Sequence, residues 1–331
     1  MKVSVVVPVF NEEANLEEFL RRLLAVFDGR GDDFEIVLVD DGSRDRSLEI
    51  LKSWAARRPD RVRVLELSRN FGQHPAILAG FRDVTGDVVV TLDADLQNPP
   101  EEIPKLLARF QEGYDVVGGV RQNRQDSWAR RAASALVNRV TVAITHMHLT
   151  DFGCMLRAYS RDVVEEINRC DEASTFIPAL AQSFARNPTE VEVGHAARRH
   201  GESAYSLYRL IRLNFDLMTG FSLVPLQAFG LLGTLVAVGG IAFGLFLFVR
   251  RLIHGAEVEG VFTLFAILFT LLGVAMAGLG IVGEYVGRIY QQVRGRPRFR
   301  VRRVYGLGET EASAAPISDF RLPSSDSRRS S

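Results

Sequence analysis

Asp93 and Asp95 stand one residue apart where the apolar run Asp87 to Leu92 ends, in the stretch LDADLQ from Leu92 to Gln97. Two carboxylates on one loop suit a hard divalent cation, and Mg2+ so held keeps waters and phosphate oxygens as its other ligands. A D-x-D alone arises often in chance turns. Here two more apolar runs also end on acidic or amide side chains, in PVFNEE (Pro8 to Glu13) and VDDGS (Val39 to Ser43). Three such ends point to one site for a metal and an anionic ligand. Other chemistries fall away. No GxGxxG or GxxxxGK[ST] follows these runs, which argues against a dinucleotide fold and a P-loop. No GxSxG elbow serves a serine hydrolase. His146 and His148, two apart, fall on opposite sides of a helix and could share a metal only from a strand. Cys154 and Cys170 cannot form a disulfide framework and read as reduced core thiols.

The elements that must position these ends follow from periodicity. Val3 to Val9, Glu35 to Val39, Val62 to Leu67 and Asp87 to Leu92 are short, β-branched runs that read as strands. Between them Leu16, Phe19, Leu20, Leu23, Leu24 and Phe27 keep one helical face, with Asn11 placed to cap it. Leu48, Leu51 and Trp54 mark a second helix, and Pro99 and Pro100 followed by Glu101 and Glu102 read as the start of a third. Strand–helix alternation implies an α/β fold on a parallel sheet covered on both faces. Ligands of such sheets lie beyond the carboxyl ends of the strands, where the three acidic ends would converge.

Composition sets the outer limits. A chain of 331 residues exceeds one ordinary domain. Basic and acidic residues balance at 40 each, which removes the global argument for nucleic-acid binding. The average conceals a split. An α/β domain over 1–205 precedes two long uncharged runs, Leu217 to Val249 and Gly260 to Gly283. A spanning helix needs about 20 apolar residues. Pro225 divides the first run, giving an interfacial helix over 206–226 and a span over 227–249; a short link, 250–259, leads to a second span over 260–283. Arg288, Arg294, Arg296, Arg298, Arg300, Arg302 and Arg303 follow the hairpin and Arg209 and Arg212 precede it, whereas the link has only Arg250 and Arg251. By the positive-inside rule both ends of this two-span hairpin would be cytoplasmic, and 284–305 would be a basic cytoplasmic segment. Val3 to Phe10 is too short for a signal peptide. Gly240 and Gly244 have the spacing for close helix approach, and the Ser-, Ala- and Pro-rich tail, 306–331, is expected to be disordered.

PVFNEE, VDDGS and DADLQNPPEEIP resemble the nucleotide-sugar motifs of inverting, family-2 GT-A glycosyltransferases. With its hairpin the chain resembles the polyprenyl-phosphate glycosyltransferases, which load one sugar onto a lipid phosphate. A second set of motifs comprises NFGQHPAILAGF (Asn70 to Phe81), VRQNRQDSW (Val120 to Trp128), FGCMLRAY (Phe152 to Tyr159), STFIPALA (Ser174 to Ala181) and VGEYVGRIY (Val282 to Tyr290). These are similar to the branch that moves 4-deoxy-4-formamido-L-arabinose from UDP to undecaprenyl phosphate, a step of lipid A modification and polymyxin resistance. The resemblance runs from about Lys2 to Val304 and implies a Rossmann-like GT-A domain and a tetramer. Other sugars (glucose, mannose, an N-acetylhexosamine) and a non-catalytic nucleotide-sugar scaffold are the alternatives. A processive synthase is disfavoured, because neither Trp54 nor Trp128 completes a QxxRW motif.

Carried over position by position, the resemblance assigns Pro8, Phe10, Asn11, Glu12, Asp40, Asp41 and Asp93 to the nucleotide, with Asp41 on the base or ribose. Asp93, Asp95 and the amide of Gln97 would hold Mg2+ or Mn2+ across the diphosphate, which makes Asp95 catalytic. A lipid monophosphate is mostly dianionic near neutrality, given a second pKa of about 6. Its need is positioning, which arginines supply through charge-assisted bonds. Arg121, Ser127 and Arg130 suit that task, although Lys2, Lys52 and Lys105 are the only lysines and arginine is abundant throughout. Asp151 matches an aspartate that relatives carry at the reaction centre. It would be a base or an orienting group, and an anionic nucleophile favours orientation. Arg198, Ser203 and Tyr205 fall in a stretch resembling the acceptor loop, which departs from the pattern at Ala204, where relatives often have lysine.

Overall fold

The computed structural model describes residues 1–121, 151, 153–170, 176–196, 223–254 and 261–306. Ser127, Arg130, Arg198, Ser203, Tyr205, His146 and His148 lie outside the described residues, as do nearly all of the expected interfacial helix and all of the tail beyond Gly306.

Among the described residues eight strands form one sheet. They are β1 (Lys2–Val9), β2 (Asp33–Asp40), β3 (Val62–Leu67), β4 (Val88–Thr91), β5 (Val116–Arg121), β6 (Arg157–Ser160), β7 (Pro188–Val193) and β8 (Val301–Tyr305), in the order β7-β5-β6-β4-β1-β2-β3-β8. β4, β1, β2 and β3 are mutually parallel. The helices α1 (Leu16–Asp28), α2 (Ser47–Arg57) and α3 (Gln73–Phe81) supply the crossovers. The expected parallel sheet holds there, and β5 and β7, which pair parallel with each other, run in the same direction. β6 runs antiparallel between β4 and β5, and β8 runs antiparallel along β3. The sheet is mixed because these two strands arrive from the opposite direction.

Alternating strand residues feed two cores. Val3, Val5, Val7, Ile36 and Leu38 pack against Leu16, Phe19, Leu20, Leu23 and Phe27 of α1 and against Leu106 and Leu107 of α4 (Ile103–Gln111). On the other face Val6, Val37 and Val39 meet Ile77, Leu78 and Phe81 of α3, Val164 and Ile167 of α5 (Arg161–Arg169), and Leu180 of α6 (Ile177–Phe184). Each buried Leu or Phe contributes about 2 kcal/mol, so the apolar stripe of α1 fixes its seat. Asn11 does not cap that helix. Asn15 occupies the N-cap position, and Asn11 takes a left-handed turn with φ 54° four residues earlier.

Helices α7 (Val224–His254) and α8 (Val261–Val293) are long and apolar enough to cross a membrane. Their most apolar stretches, Leu226–Phe246 and Thr270–Val293, have mean hydropathies of 2.1 and 1.5. Pro225 sits in the first turn of α7, where its missing N–H costs nothing. Gly240 and Gly244 have open space around them, so they do not mediate the close approach of the two helices. That occurs at Gly278, where a Cβ would collide with the ring of Phe229. Beyond α8 the basic segment returns to the sheet as β8, whose sequence VRRVY carries no clear strand alternation.

Candidate active site

The ends of β1 and β2 are laced together before any ligand is considered. The Asp41 N–H donates to the Val9 carbonyl at 2.8 Å. The Asn11 N–H donates to Ser43 Oγ at 3.1 Å, and the Arg44 N–H donates to Asn11 Oδ1 at 2.8 Å. Glu12 N–H donates to Ser47 Oγ at 2.9 Å. Asn11 thus joins the two loops, and its left-handed backbone is one that Asn tolerates better than most residues. Pro8 is half-buried at the end of β1. Phe10 is 42% exposed, so core packing does not account for it and its ring is open to a ligand.

Asp41 is only 3% exposed, and both its oxygens accept backbone bonds, from Phe71 N–H at 2.7 Å and Gly72 N–H at 2.8 Å. It therefore braces the loop that leads into α3. Burial raises its pKa, against those two bonds, and the charge of Asp40 adds to the rise. Asp40 is buried too, and accepts the Ser43 N–H at 3.3 and 3.4 Å. Burial lifts its pKa, with the nearby charge of Glu66 pushing the same way.

The loop after β4 places Asp93 and Asp95. Gln73 Nε2, from the first turn of α3, donates to Asp93 Oδ1 at 2.5 Å. Asp95 Oδ1 accepts the Gln97 N–H at 3.0 Å across Leu96, a non-glycine residue at φ 61°. Such backbone strain concentrates at functional sites. Burial and the charges of Asp95 and Glu12 push the Asp93 carboxyl up to about 7, although Gln73 and Arg121 oppose them. A cation relieves that accumulation of negative charge, so the donor set fits a divalent metal. Among the described residues no three His, Cys, Asp or Glu groups converge as a metal cage. An ion here would complete its shell with an amide such as Gln97, water and the oxygens of a bound anion.

The opposite wall is built on Asp151. Arg121, the last residue of β5, donates to Asp151 Oδ2 from Nε at 2.7 Å and to Oδ1 from Nη2 at 2.8 Å. Gly153 N–H adds a bond to Oδ1 at 3.0 Å. Burial lowers the Arg121 pKa, but Asp151 outweighs it and holds the guanidinium above its usual value. Arg157, fully buried on β6, donates from Nη2 to the Asp151 carbonyl at 2.6 Å and from Nε to the Cys154 carbonyl at 2.9 Å. The turn that presents Asp151 is thereby fixed from beneath. Arg121 also acts electrostatically on Asp93, so the two walls face one site.

The described expected residues gather at one end of the sheet, with Asp40 and Asp41 at the β2 end and Glu12, Asp93, Asp95, Arg121 and Asp151 electrostatically or directly linked. Sequence reasoning missed two neighbours. Gln73 lies inside NFGQHPAILAGF, but only the fold shows that it reaches Asp93. His195, exposed just beyond β7, feels the charges of Arg121, Asp95 and Asp151; burial and then Arg121 lower its pKa. The Ala196 N–H donates to the Gln97 carbonyl at 2.9 Å, which ties that loop to the aspartate pair.

The family model described as Glycosyl transferase family 2 matches residues 4–167. A relative from Edwardsiella ictaluri is 53% identical over 304 residues, covering 91% of this chain and 94% of its own. One from Shewanella sediminis is 52% identical over 319 residues, 96% of each chain. Both are undecaprenyl-phosphate 4-deoxy-4-formamido-L-arabinose transferases. Among solved structures, glucosyl-3-phosphoglycerate synthase from Mycobacterium tuberculosis with Mg2+ and UDP is similar at 20% identity and a TM-score of 0.48, over 66% of this chain and 77% of that one.

Proposed function

The chain belongs to glycosyl transferase family 2, among the undecaprenyl-phosphate 4-deoxy-4-formamido-L-arabinose transferases, and from that premise we propose that it transfers this sugar from UDP to undecaprenyl phosphate with inversion. The reaction serves lipid A modification and resistance to polymyxin-type peptides. The observation that carries the reading is the Asp93–Asp95 pair set opposite the Asp151–Arg121 pair at one sheet end. One wall suits a metal diphosphate and the other a phosphate acceptor.

In this reading Pro8, Phe10, Asn11, Glu12, Asp40 and Asp41 receive the uridine. Asp93, Asp95 and the Gln97 amide would hold Mg2+ or Mn2+, and a divalent ion bound there would supply electrostatic stabilisation for a departing diphosphate. Arg121 keeps Nε and Nη2 on Asp151 and offers its other N–H groups to the acceptor phosphate, with Ser127, Arg130, Arg198, Ser203 and Tyr205 as further contacts. Asp151 orients Arg121 and takes no proton, because a dianionic phosphate needs no base. A phosphate oxygen attacks the anomeric carbon opposite UDP. The new C–O bond forms as the bond to UDP breaks, and the configuration inverts.

The hairpin α7–α8 would lie in the inner membrane with the catalytic domain and both ends cytoplasmic, as the flanking arginines direct. That places the site beside the lipid headgroups. A homo-oligomer, a tetramer by resemblance, completes the proposal. The test is mass analysis of lipid products after the full chain, in undecaprenyl-phosphate liposomes, meets mixed UDP-sugars. Formamido-arabinosyl lipid is expected as the main product; glucosyl lipid alone would overturn the sugar assignment.

A further inference from the structure

Glu66 on β3 is nearly buried, and it lies directly beside Asp40 in the parallel register of β2 and β3. Paired positions of adjacent strands project to the same face, so two carboxylates share one buried layer under the β2 end. Both oxygens of Glu66 are met by β8, the strand that follows the membrane hairpin. Tyr305 Oη donates to Oε2 at 2.6 Å, and Arg302 Nη1 donates to Oε1 at 3.0 Å. Arg302 is 63% exposed and its charge is well screened, so the half-buried Tyr305 is the stronger partner.

The seat of β8 is built for this contact. The Lys52 ammonium lies 4.5 Å from the centre of the Tyr305 ring. Gly306 turns at φ +84°, where a Cβ would collide with the Val62 carbonyl. Ser68 N–H donates to the Arg300 carbonyl at 2.9 Å, and Phe299 packs on the core beneath Arg82. A strand that only covered a sheet edge would need backbone pairing and apolar contact, not a tyrosine and an arginine on one buried carboxylate.

From Glu66 the contacts run toward the donor site. Asp40 holds the Ser43 N–H through two long bonds, and Ser43 Oγ receives the N–H of Asn11. A Glu66 carboxylate deprived of the Tyr305 hydroxyl would act first on Asp40, its neighbour in register, and then on this loop. We propose that Tyr305, seconded by Arg302, is a positioning residue for the UDP-sugar: by satisfying Glu66 it keeps Asp40 and the loop through Ser43 shaped for uridine. The strand beyond the membrane hairpin thereby becomes part of the donor site. This inference rests on the UDP-sugar reading above.

The test uses the full chain in undecaprenyl-phosphate liposomes. Tyr305→Phe should raise the KM for UDP-4-deoxy-4-formamido-L-arabinose and the Kd for UDP five- to tenfold. The kcat and the KM for the lipid should stay within twofold. Adding Glu66→Gln to Tyr305→Phe removes the charge that has lost its phenol donor and should return the donor KM to within twofold of wild type. Unchanged donor KM and UDP Kd in Tyr305→Phe, beside a wild type that binds UDP, overturn this inference alone. So does a general loss of kcat and thermal stability that Glu66→Gln fails to repair. A wild type that binds no UDP overturns the donor reading as well.

Discussion

The guanidinium of Arg121 grips both carboxylate oxygens of Asp151, through Nε at 2.7 Å and Nη2 at 2.8 Å. Bidentate pairing fixes the plane of the guanidinium as well as its position. Because the pair is largely buried, each member depends on the other for its charge. An aspartate so committed is badly placed to accept a proton and well placed to aim an arginine.

Asp151→Asn tests that division of labour. The amide keeps one acceptor, loses the negative charge and leaves Arg121 in a buried site without its counter-ion. Loss of one partner from such a pair costs about 3–5 kcal/mol, which corresponds to at least a hundredfold in kcat if the arginine acts in the transition state. UDP affinity, read by calorimetry, should change less than twofold because Asp151 lies on the acceptor wall. Normal turnover would remove Asp151 from the site.

The Asp93 carboxyl, lifted to about 7 by burial and by Asp95, predicts two pH effects. A carboxylate whose folded pKa exceeds its unfolded value, about 3.9, binds protons more tightly in the native state. Its stabilising contribution is therefore full below the unfolded value and is lost as pH rises through about 7. In chelator the Tm of wild type should accordingly fall relative to Asp93→Asn between pH 5 and 7.5. Taking the difference cancels His74 and His195, whose lowered pKa values act in the opposite direction. Mn2+ competes with the proton, so its affinity in the presence of UDP should weaken as pH drops below 7, by up to about tenfold per unit. Equal Tm profiles for the two proteins, or Mn2+-dependent UDP binding that survives Asp93→Asn with Asp95→Asn, would refute the metal assignment.

Local signals made the site's outline readable before its geometry was known. The three acidic strand ends, the stripe of α1 and the uncharged runs of α7 and α8 are all properties of short windows. What escaped was tertiary. β6 has four residues and β8 has five, both carry arginine, and their antiparallel pairing depends on partners far away in sequence. Arg157 reads in sequence as one more arginine of an arginine-rich chain, yet it is the buried support of the Asp151 turn. Asn11 looked like a helix cap because its type suits both roles, and only its φ of 54° separates them. Gln73 and His195 matter through space alone.

Gly42 ties the nucleotide half to backbone geometry and gives a prediction independent of charge. It turns at φ +72° between Asp41 and Ser43, and a Cβ there would stand 2.6 Å from the Arg69 carbonyl carbon and 2.7 Å from the Asn70 nitrogen. Left-handed backbone alone costs alanine about 1 kcal/mol. The collision adds to this, because both struck atoms are main chain and cannot swing aside. The segment that must move is the one Asp41 braces at Phe71 and Gly72. Gly42→Ala should therefore destabilise the protein by more than about 2 kcal/mol and weaken UDP binding at least tenfold. Gly113→Ala separates the two effects, since Gly113 has φ +98° with nothing within 4 Å of its added Cβ. That variant should lose only about 1 kcal/mol and bind UDP normally. If urea unfolding and calorimetry found the two variants alike, the close approach of Gly42 to Arg69 would carry no weight in shaping the donor site.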